Sequence, residues 1–229
     1  MQPEVGHPWF HRAAARLALR RRDRVLAIDP TVDEVLALRS MVGDQGEMTL
    51  LLRDDEAAEQ LAEHDWPQVR VLAHTVDGGE TFGTFDALLV APTTGPLLPC
   101  EGYAELSRNN LRPGGRFVID LPGPDMLPDV RAAWLTLGRD EEQLRLLSGP
   151  SDVELAEALR AAGLRNVEAA LASHLLHAAS PADLVAPFGD VLGLDDDDAN
   201  DLARAIVSDR KDPGPLDALV HRTQVGGLR

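Results

Sequence analysis

Cysteine and long apolar runs are nearly absent from this sequence of 229 residues. Cys100 is the single cysteine and can form no disulfide within the chain, which is typical of proteins in a reducing compartment. No apolar run reaches the roughly 20 residues that a membrane-spanning helix needs. The first residues include Glu4 and two prolines, which is unlike the basic start of a signal peptide. We therefore predict a cytoplasmic protein without a membrane partner.

Basic residues are outnumbered by acidic ones. The chain has 22 lysines and arginines and 38 acidic residues, which gives a formal net charge of −16. A surface this acidic repels phosphate backbones, so we expect no nucleic-acid partner. The one dense basic stretch runs from Arg20 to Arg24, and its simplest interpretation is the solvated end of a helix that leads into a strand. Apolar residues make up 44% of the chain, enough to fill the core of one large α/β domain.

Metal ligands at useful spacings are missing as well. His7 and His11 stand four residues apart but have no third ligand nearby. His174 and His177 stand three apart in a predicted strand, which places them on opposite faces. The four aspartates at 195–198 lack the spacing and the glycine of a calcium loop, and suit the start of a helix instead. The chain also lacks a phosphate-binding loop and a Gly-x-Gly-x-x-Gly fingerprint. We predict no metal site.

The clearest positive signal lies at residues 105–120. Two leucines give the first part a helical apolar face, and Pro113 with Gly114 then provides the fixed φ and the positive φ of a type II turn. The apolar run 117–119 that follows is typical of a strand buried on both faces. A helix, a tight turn and a buried strand in this order predict a parallel sheet with crossover helices.

The rest of the chain repeats this alternation. Two capping boxes, Thr31 with Glu34 and Ser151 with Glu154, mark helix starts. The predicted strands are 24–29, 48–52, 69–73, 85–91, the one at 117–119, 166–176 and 219–225. The predicted helices are 9–22, 32–42, 54–63, one ending near Asn110, 129–137, 152–162, 182–192 and 199–208. We therefore predict a doubly wound, mostly parallel sheet with helices on both faces, and a ligand crevice at the carboxyl ends of its strands.

Two stretches carry a family resemblance. The strand Phe85–Val90, a helix, and then Leu-Arg-Pro-Gly-Gly-Arg-Phe at 111–117 resemble the second half of class I S-adenosylmethionine-dependent methyltransferases. Residues 151–167, which end Ala-Gly-Leu-Arg-Asn-Val, are similar to the helix that precedes the sixth strand of that family. The resemblance covers roughly residues 20–175. It implies a seven-stranded sheet whose last strand is antiparallel, for which 219–225 is the candidate.

The domain organisation follows from the same resemblance. We predict an N-terminal helical segment at 1–23 and a methyltransferase-like domain at 24–229, with a core at 24–122 and a C-terminal part at 150–229.

The resemblance also implies positions for the methyl donor S-adenosylmethionine and for the methyl acceptor. Asp54, or its neighbour Asp55, follows the second strand and would receive the ribose hydroxyls, although acids at that point also simply open a helix. The remaining positions that the resemblance implies are Asp29, His74, Thr75 and Pro92 around the donor, and Thr93, Thr94 and Tyr103 towards a small-molecule acceptor. An ordinary strand end and an ordinary loop explain these residues equally well. No catalytic base is predicted.

One departure from the family pattern bears on function. The loop after the first strand reads Asp-Pro-Thr-Val-Asp at 29–33 and has no glycine, whereas the family has a glycine-rich loop there. Pro30 removes an N–H group, Val32 adds a branched side chain, and Asp33 and Glu34 occupy the helix start that would favour a donor carboxylate. Two hypotheses follow. The chain transfers a methyl group to a small molecule or a side chain, or it is an inactive binding or scaffolding subunit, which the glycine-free loop favours.

Overall fold

The computed structural model describes residues 8–92, 98–208 and 216–229. Its nine described helices are Pro8–Leu17 (α1), Val32–Val42 (α2), Asp55–Ala62 (α3), Cys100–Asn110 (α4), Pro128–Thr136 (α5), Asp152–Ala161 (α6), Pro181–Val185 (α7), Gly189–Leu192 (α8) and Asp196–Val207 (α9). Its strands are Arg24–Ile28 (β1), Glu47–Leu52 (β2), Val69–Ala73 (β3), Phe85–Val90 (β4), Leu111–Pro122 (β5), Arg165–Ala178 (β6) and Leu216–Leu228 (β7). Short 3-10 helices lie at Glu141–Leu147 and Ala186–Phe188.

The seven strands form one sheet in the order β3-β2-β1-β4-β5-β7-β6. Strands β1 to β5 are parallel, and β7 runs antiparallel to both β5 and β6. The chain reverses its direction of progress between β1 and β4, which is the point where doubly wound sheets open a crevice. The predicted sheet is confirmed, and so is the antiparallel last strand.

Apolar side chains cover both faces of the sheet, because the central strands are buried on both sides. Helices α1, α2 and α3 pack on one face, where Val25 and Leu50 belong to their cluster, and helices α4 and α6 pack on the other, around Leu26 and Leu88. A third cluster joins α5, α7, α8 and α9 around Trp134 and contacts the ends of β6 and β7. No described helix is long and apolar enough to cross a membrane.

The structure corrects the predicted helix 9–22. Helix α1 ends at Leu17, and Ala18 has a φ of +50°, the left-handed conformation that commonly ends helices. The carboxylate of Asp23 accepts a hydrogen bond from the Arg20 amide at 2.7 Å. The basic stretch therefore lies in a turn and not at the end of a helix.

The predictions for the C-terminal third also need correction. Helix α9 begins at Asp196, so three of the four aspartates lie inside its first turn, while Asp195 caps it through a hydrogen bond to the Asp198 amide. The predicted helix 182–192 is divided into α7, a 3-10 turn and α8. The last strand is almost twice as long as predicted, since its polar residues pair with β5 as well as β6.

Candidate functional site

A cavity of about 540 Å³ opens at the carboxyl ends of β1 and β2. Through Pro92 it borders the point of reversal between β1 and β4, where this sheet topology places ligands. Its walls combine apolar side chains with a few polar groups. The lining residues are Asp29, Pro30, Thr31, Val32, Leu52, Arg53, Asp54, Ala57, Gln60, Leu61 and Pro92. The loop after β1 therefore lines the crevice but does not fill it.

The backbone after β1 turns sharply at Asp29. Its φ of +50° lies in the left-handed region, which glycine adopts most easily and which aspartate tolerates better than most residues. The Asp29 amide donates to the Leu51 carbonyl at 2.8 Å. The main chain thus follows a path suited to glycine while carrying a charged side chain.

That side chain forms an ion pair in the wall of the crevice. Oδ2 of Asp29 lies 2.5 Å from Nε of Arg53, and Oδ1 accepts from the Arg53 amide at 3.0 Å. The Asp29 side chain is 16% exposed and the Arg53 side chain 42% exposed. The pair ties the end of β1 to the end of β2, and sequence reasoning missed it because an arginine after a strand is unremarkable by itself.

The start of α2 forms the next part of the crevice wall. Thr31 accepts a hydrogen bond from the Glu34 amide, and Oε2 of Glu34 accepts from the Thr31 amide at 2.9 Å, which completes the predicted capping box. The Glu34 side chain is buried, with only 2% of the residue exposed, and burial raises its pKa to about 7 against the opposing effects of these hydrogen bonds and of Arg222. Oε1 has no hydrogen-bond partner in the described part of the chain.

Asp54 lies opposite, at the start of α3. Its Oδ1 accepts from the Glu56 amide at 2.9 Å and caps the helix, and the residue also lines the crevice. Asp54 therefore caps the helix, as expected of an acid at this position, and it also borders the crevice.

His74 and Thr75 do not line the crevice. They begin a loop, residues 74–84, that replaces a helix between β3 and β4. Nε2 of His74 lies 3.1 Å from Oε1 of Glu80, and the same carboxylate accepts from the amides of Asp77 and Gly78. The His74 ring is thus held within the loop.

Pro92 lies two residues after the end of β4 and lines the crevice. Its carbonyl accepts a hydrogen bond from Nη2 of Arg222 at 2.7 Å. The predicted acceptor residues Thr93 and Thr94 lie outside the described residues. Tyr103 is fully buried in α4, and its hydroxyl accepts from the Leu98 amide at 3.3 Å.

Comparisons with known proteins agree with this architecture. The chain matches the YcgJ protein of Bacillus subtilis with a TM-score of 0.64 and 15% identity, over 98% of this chain and 99% of that one. It matches a SAM-dependent O-methyltransferase of Thermotoga maritima with a TM-score of 0.54 and 14% identity, over 98% and 67%. It also matches a chain in a complex that contains the Haloferax volcanii Trm112 methyltransferase activator, with a TM-score of 0.53 and 17% identity, over 96% and 89%.

The chain has the class I methyltransferase fold. No protein-family model matches the sequence, and no curated protein matches it either. The similarity to the methyltransferases thus lies in the fold and not in a detectable sequence match.

Sequence analysis also missed a buried polar group beneath the crevice of this methyltransferase fold. The Arg222–Asp120 ion pair is completely buried, and Nε2 of Gln224 donates to Oδ2 of Asp120 at 2.8 Å. The only available signal was Asp120 itself, a charged residue inside the apolar run of β5, where a buried partner is required.

Proposed function

We propose that this chain is a methyltransferase-fold protein that does not use S-adenosylmethionine and serves as a binding or scaffolding subunit in the cytoplasm. The observation that carries the proposal is the Asp29–Arg53 ion pair, whose two residues both line the crevice. In the family that the sequence resembles, a glycine-rich loop ends the first strand and an acid follows the second. Here a charged side chain replaces the glycine, and an arginine follows β2 directly.

The neighbouring groups fit the amino-acid end of the donor poorly. A donor carboxylate at the start of α2 would need free N–H groups, but Pro30 has none and the Thr31 amide already donates to Glu34. Asp33 and Glu34 add negative charge or a buried carboxyl at the same helix start. The carboxylate of the donor would therefore lack the hydrogen bonds and the favourable helix dipole that a free helix start offers.

A second candidate function is methyl transfer from S-adenosylmethionine. The crevice of about 540 Å³ supports it, since the loop after β1 leaves the cavity open and Asp54 lines it. Asp54 would then receive the ribose hydroxyls, whereas Tyr103 is fully buried and would not reach a small-molecule or side-chain acceptor. His74 and Thr75 would reach the adenine only after the loop at 74–84 rearranges, because Glu80 holds His74.

Calorimetric titration with S-adenosylmethionine and with its demethylated product separates the two functions. We expect no binding at millimolar ligand, and a micromolar dissociation constant, which corresponds to about −8 kcal/mol, would favour the enzyme instead. The double variant Asp29→Gly/Arg53→Ala should bind the demethylated product more tightly than the natural chain, because it restores glycine at a positive φ and removes the ion pair.

The matched control for this titration is Arg112→Ala. Arg112, on β5, is about as exposed as Arg53, with 54% of its side chain exposed, and pairs with the mostly buried Asp86 at the opposite end of the sheet. Removing it takes away one arginine and one exposed ion pair without touching the crevice. Binding that improves equally in this control would mean that the gain does not depend on removing the Asp29–Arg53 pair from the crevice.

A further inference from the structure

Strand β6 forms one edge of the sheet and pairs only with β7. In the described part of the chain, the backbone groups between Ala169 and Leu176 make no bond to anything except β7. An edge of this kind presents a row of unpaired N–H and C=O groups that can pair with another strand. Its length of 14 residues is well above the usual strand length, so the open row is long.

The edge also lacks the sequence features that normally prevent one sheet edge from pairing with another. Its only irregularity lies at the start, between Arg165 and Glu168, and no proline, lysine or arginine occurs from 169 to 178. The opposite edge, β3, has five residues and includes an arginine, Arg70. One edge of the sheet is thus protected and the other is open.

One face of this open edge is apolar and exposed. Leu171 and Leu175 on β6 are 52% and 48% exposed, and Leu219, which lies opposite Leu175 on β7, is 43% exposed. Ser173 lies between the two β6 leucines on the same face and hydrogen-bonds to Nδ1 of His221 at 3.0 Å. Three large apolar side chains therefore surround a small polar centre.

We propose that a second copy of this chain binds here, with its β6 antiparallel to β6 and Ser173 opposite Ser173 of the second copy. Leu171 and Leu175 each lie two residues from Ser173, so in this register Leu171 of each copy faces Leu175 of the other. Leu219 extends each of these rows onto β7. The exposed leucines are thus complementary to themselves under a two-fold axis, as the interface of a symmetric dimer requires.

Charge favours this segment over the rest of the surface. Two copies that each carry a net charge of −16 repel one another over most of their surface. From 167 to 178 the only acidic residue is Glu168, and its carboxylate lies 3.6 Å from the guanidinium of Arg16. The centre of β6 is therefore a neutral strip along which two acidic molecules can approach.

The expected affinity follows from the size of the contact. About ten paired residues at about 3.3 Å each give a length of about 33 Å, and a sheet with its side chains is about 10 Å thick. The edge alone then contributes roughly 330 Å² per copy, which is less than half of the roughly 800 Å² of a standard interface. We therefore expect a dimer that dissociates on dilution.

Sedimentation velocity of the full chain over a concentration series tests the dimer. We expect the natural chain to shift from monomer to dimer as concentration rises, and Leu175→Lys to remain monomeric, because it places like charges beside the second copy. Leu135→Lys is the matched control, since Leu135 is 45% exposed on α5, away from β6. A natural chain that stays monomeric throughout, or a dimer that Leu175→Lys leaves intact, overturns the proposal.

Cross-linking tests the register. Ser173→Cys should form a disulfide-linked dimer under mild oxidation, because the two Cα atoms of an opposed pair lie about 4.5 to 5.5 Å apart, within reach of a disulfide. Ala170→Cys, exposed on the same strand, would face Leu176 of the second copy and should not cross-link. The natural chain, whose Cys100 is partly buried, gives the background. Equal cross-linking by the two variants, or none by Ser173→Cys, overturns this pairing.

Discussion

Arg222 on β7 donates through Nε to Oδ1 of Asp120 on β5 at 2.7 Å, and both side chains are fully buried. The same guanidinium donates to the carbonyls of Pro92 and Asp120, and it lies 4.8 Å from the centre of the Trp9 ring. It therefore links the ends of three strands, β4, β5 and β7, to helix α1. The crevice borders this group through Pro92, so part of its lining is held by a completely buried ion pair.

Breaking this buried pair should destabilise the fold strongly. We expect Arg222→Met to lower the free energy of unfolding by about 3 to 5 kcal/mol, because Asp120 would keep a buried charge without its partner. The double variant Asp120→Leu/Arg222→Met should lose less than the single one, since it leaves no charge behind. Urea denaturation of the three proteins provides the comparison.

The control for the buried pair is Arg24→Ala, which breaks the ion pair with Glu47. The two side chains of that pair are 49% and 61% exposed, so its loss should change the free energy of unfolding by less than about 1 kcal/mol. A similar cost for the exposed and the buried pair would show that burial does not set the energy of the Arg222–Asp120 contact.

The fold was predictable where local signals are strong. A capping box marks the start of α2, and the mostly apolar segment of β3 lies between clear breaks, so Val32–Val42 and Val69–Ala73 were predicted without error. The length of β7 was not predictable. Arg222 and Gln224 are polar residues in that strand, and only their tertiary contacts with Asp120 explain why they are buried.

The candidate site was less predictable than the fold. The sequence indicates that the loop after β1 lacks glycine, but it does not reveal that Asp29 keeps a left-handed φ and reaches Arg53. His74 follows β3 as predicted, yet Glu80, six residues later, determines where its ring lies. In both cases the folded backbone brings two side chains into contact, and the spacing of the residues in the sequence does not indicate that contact.

Two glycines with a positive φ should respond differently to alanine. A Cβ on Gly78 would lie 2.7 Å from the backbone of Gly102, whereas a Cβ on Gly114 would meet nothing within 4 Å. Both positions strain alanine, with φ of +99° and +77°, so we expect Gly114→Ala to cost about 1 kcal/mol and Gly78→Ala clearly more. Thermal unfolding of the two variants measures the difference, and equal costs would mean that the loop at 74–84 can move away from α4.

The same loop should open when its central carboxylate is removed. Burial alone would raise the pKa of Glu80, but hydrogen bonds, led by that from the Asp77 amide, lower it to about 2. Its folded pKa is depressed, so the stabilisation is present above the ordinary value of 4.5 and is lost as the pH falls towards 2. We expect Glu80→Ala to speed hydrogen exchange of the Asp77 and Gly78 amides at pH 7. Asn109→Ala, which removes a single bond to the Gly79 carbonyl, should have a smaller effect.

Glu34 should make stability fall as the pH rises towards neutrality. Burial raises its pKa from 4.5 to about 7, so between these values the folded state binds a proton that the unfolded state has released. The free energy of unfolding therefore decreases from pH 4.5 to 7 by an amount of roughly 3 kcal/mol from this group. Glu34→Gln keeps the shape and removes the titration, so its stability relative to the natural chain should increase from pH 5 to pH 8 in urea denaturation.

Glu154 is the matched control, because it forms the same capping box with Ser151 on an exposed helix start. Hydrogen bonds from Ser151 lower its pKa, so its stabilising contribution is present above the ordinary value and is lost in acid. We expect Glu154→Gln to be less stable than the natural chain at pH 7, with the deficit shrinking as the pH falls. A relative gain in stability with rising pH for Glu154→Gln as well would mean that the capping motif, and not the burial of Glu34, produces the pH dependence.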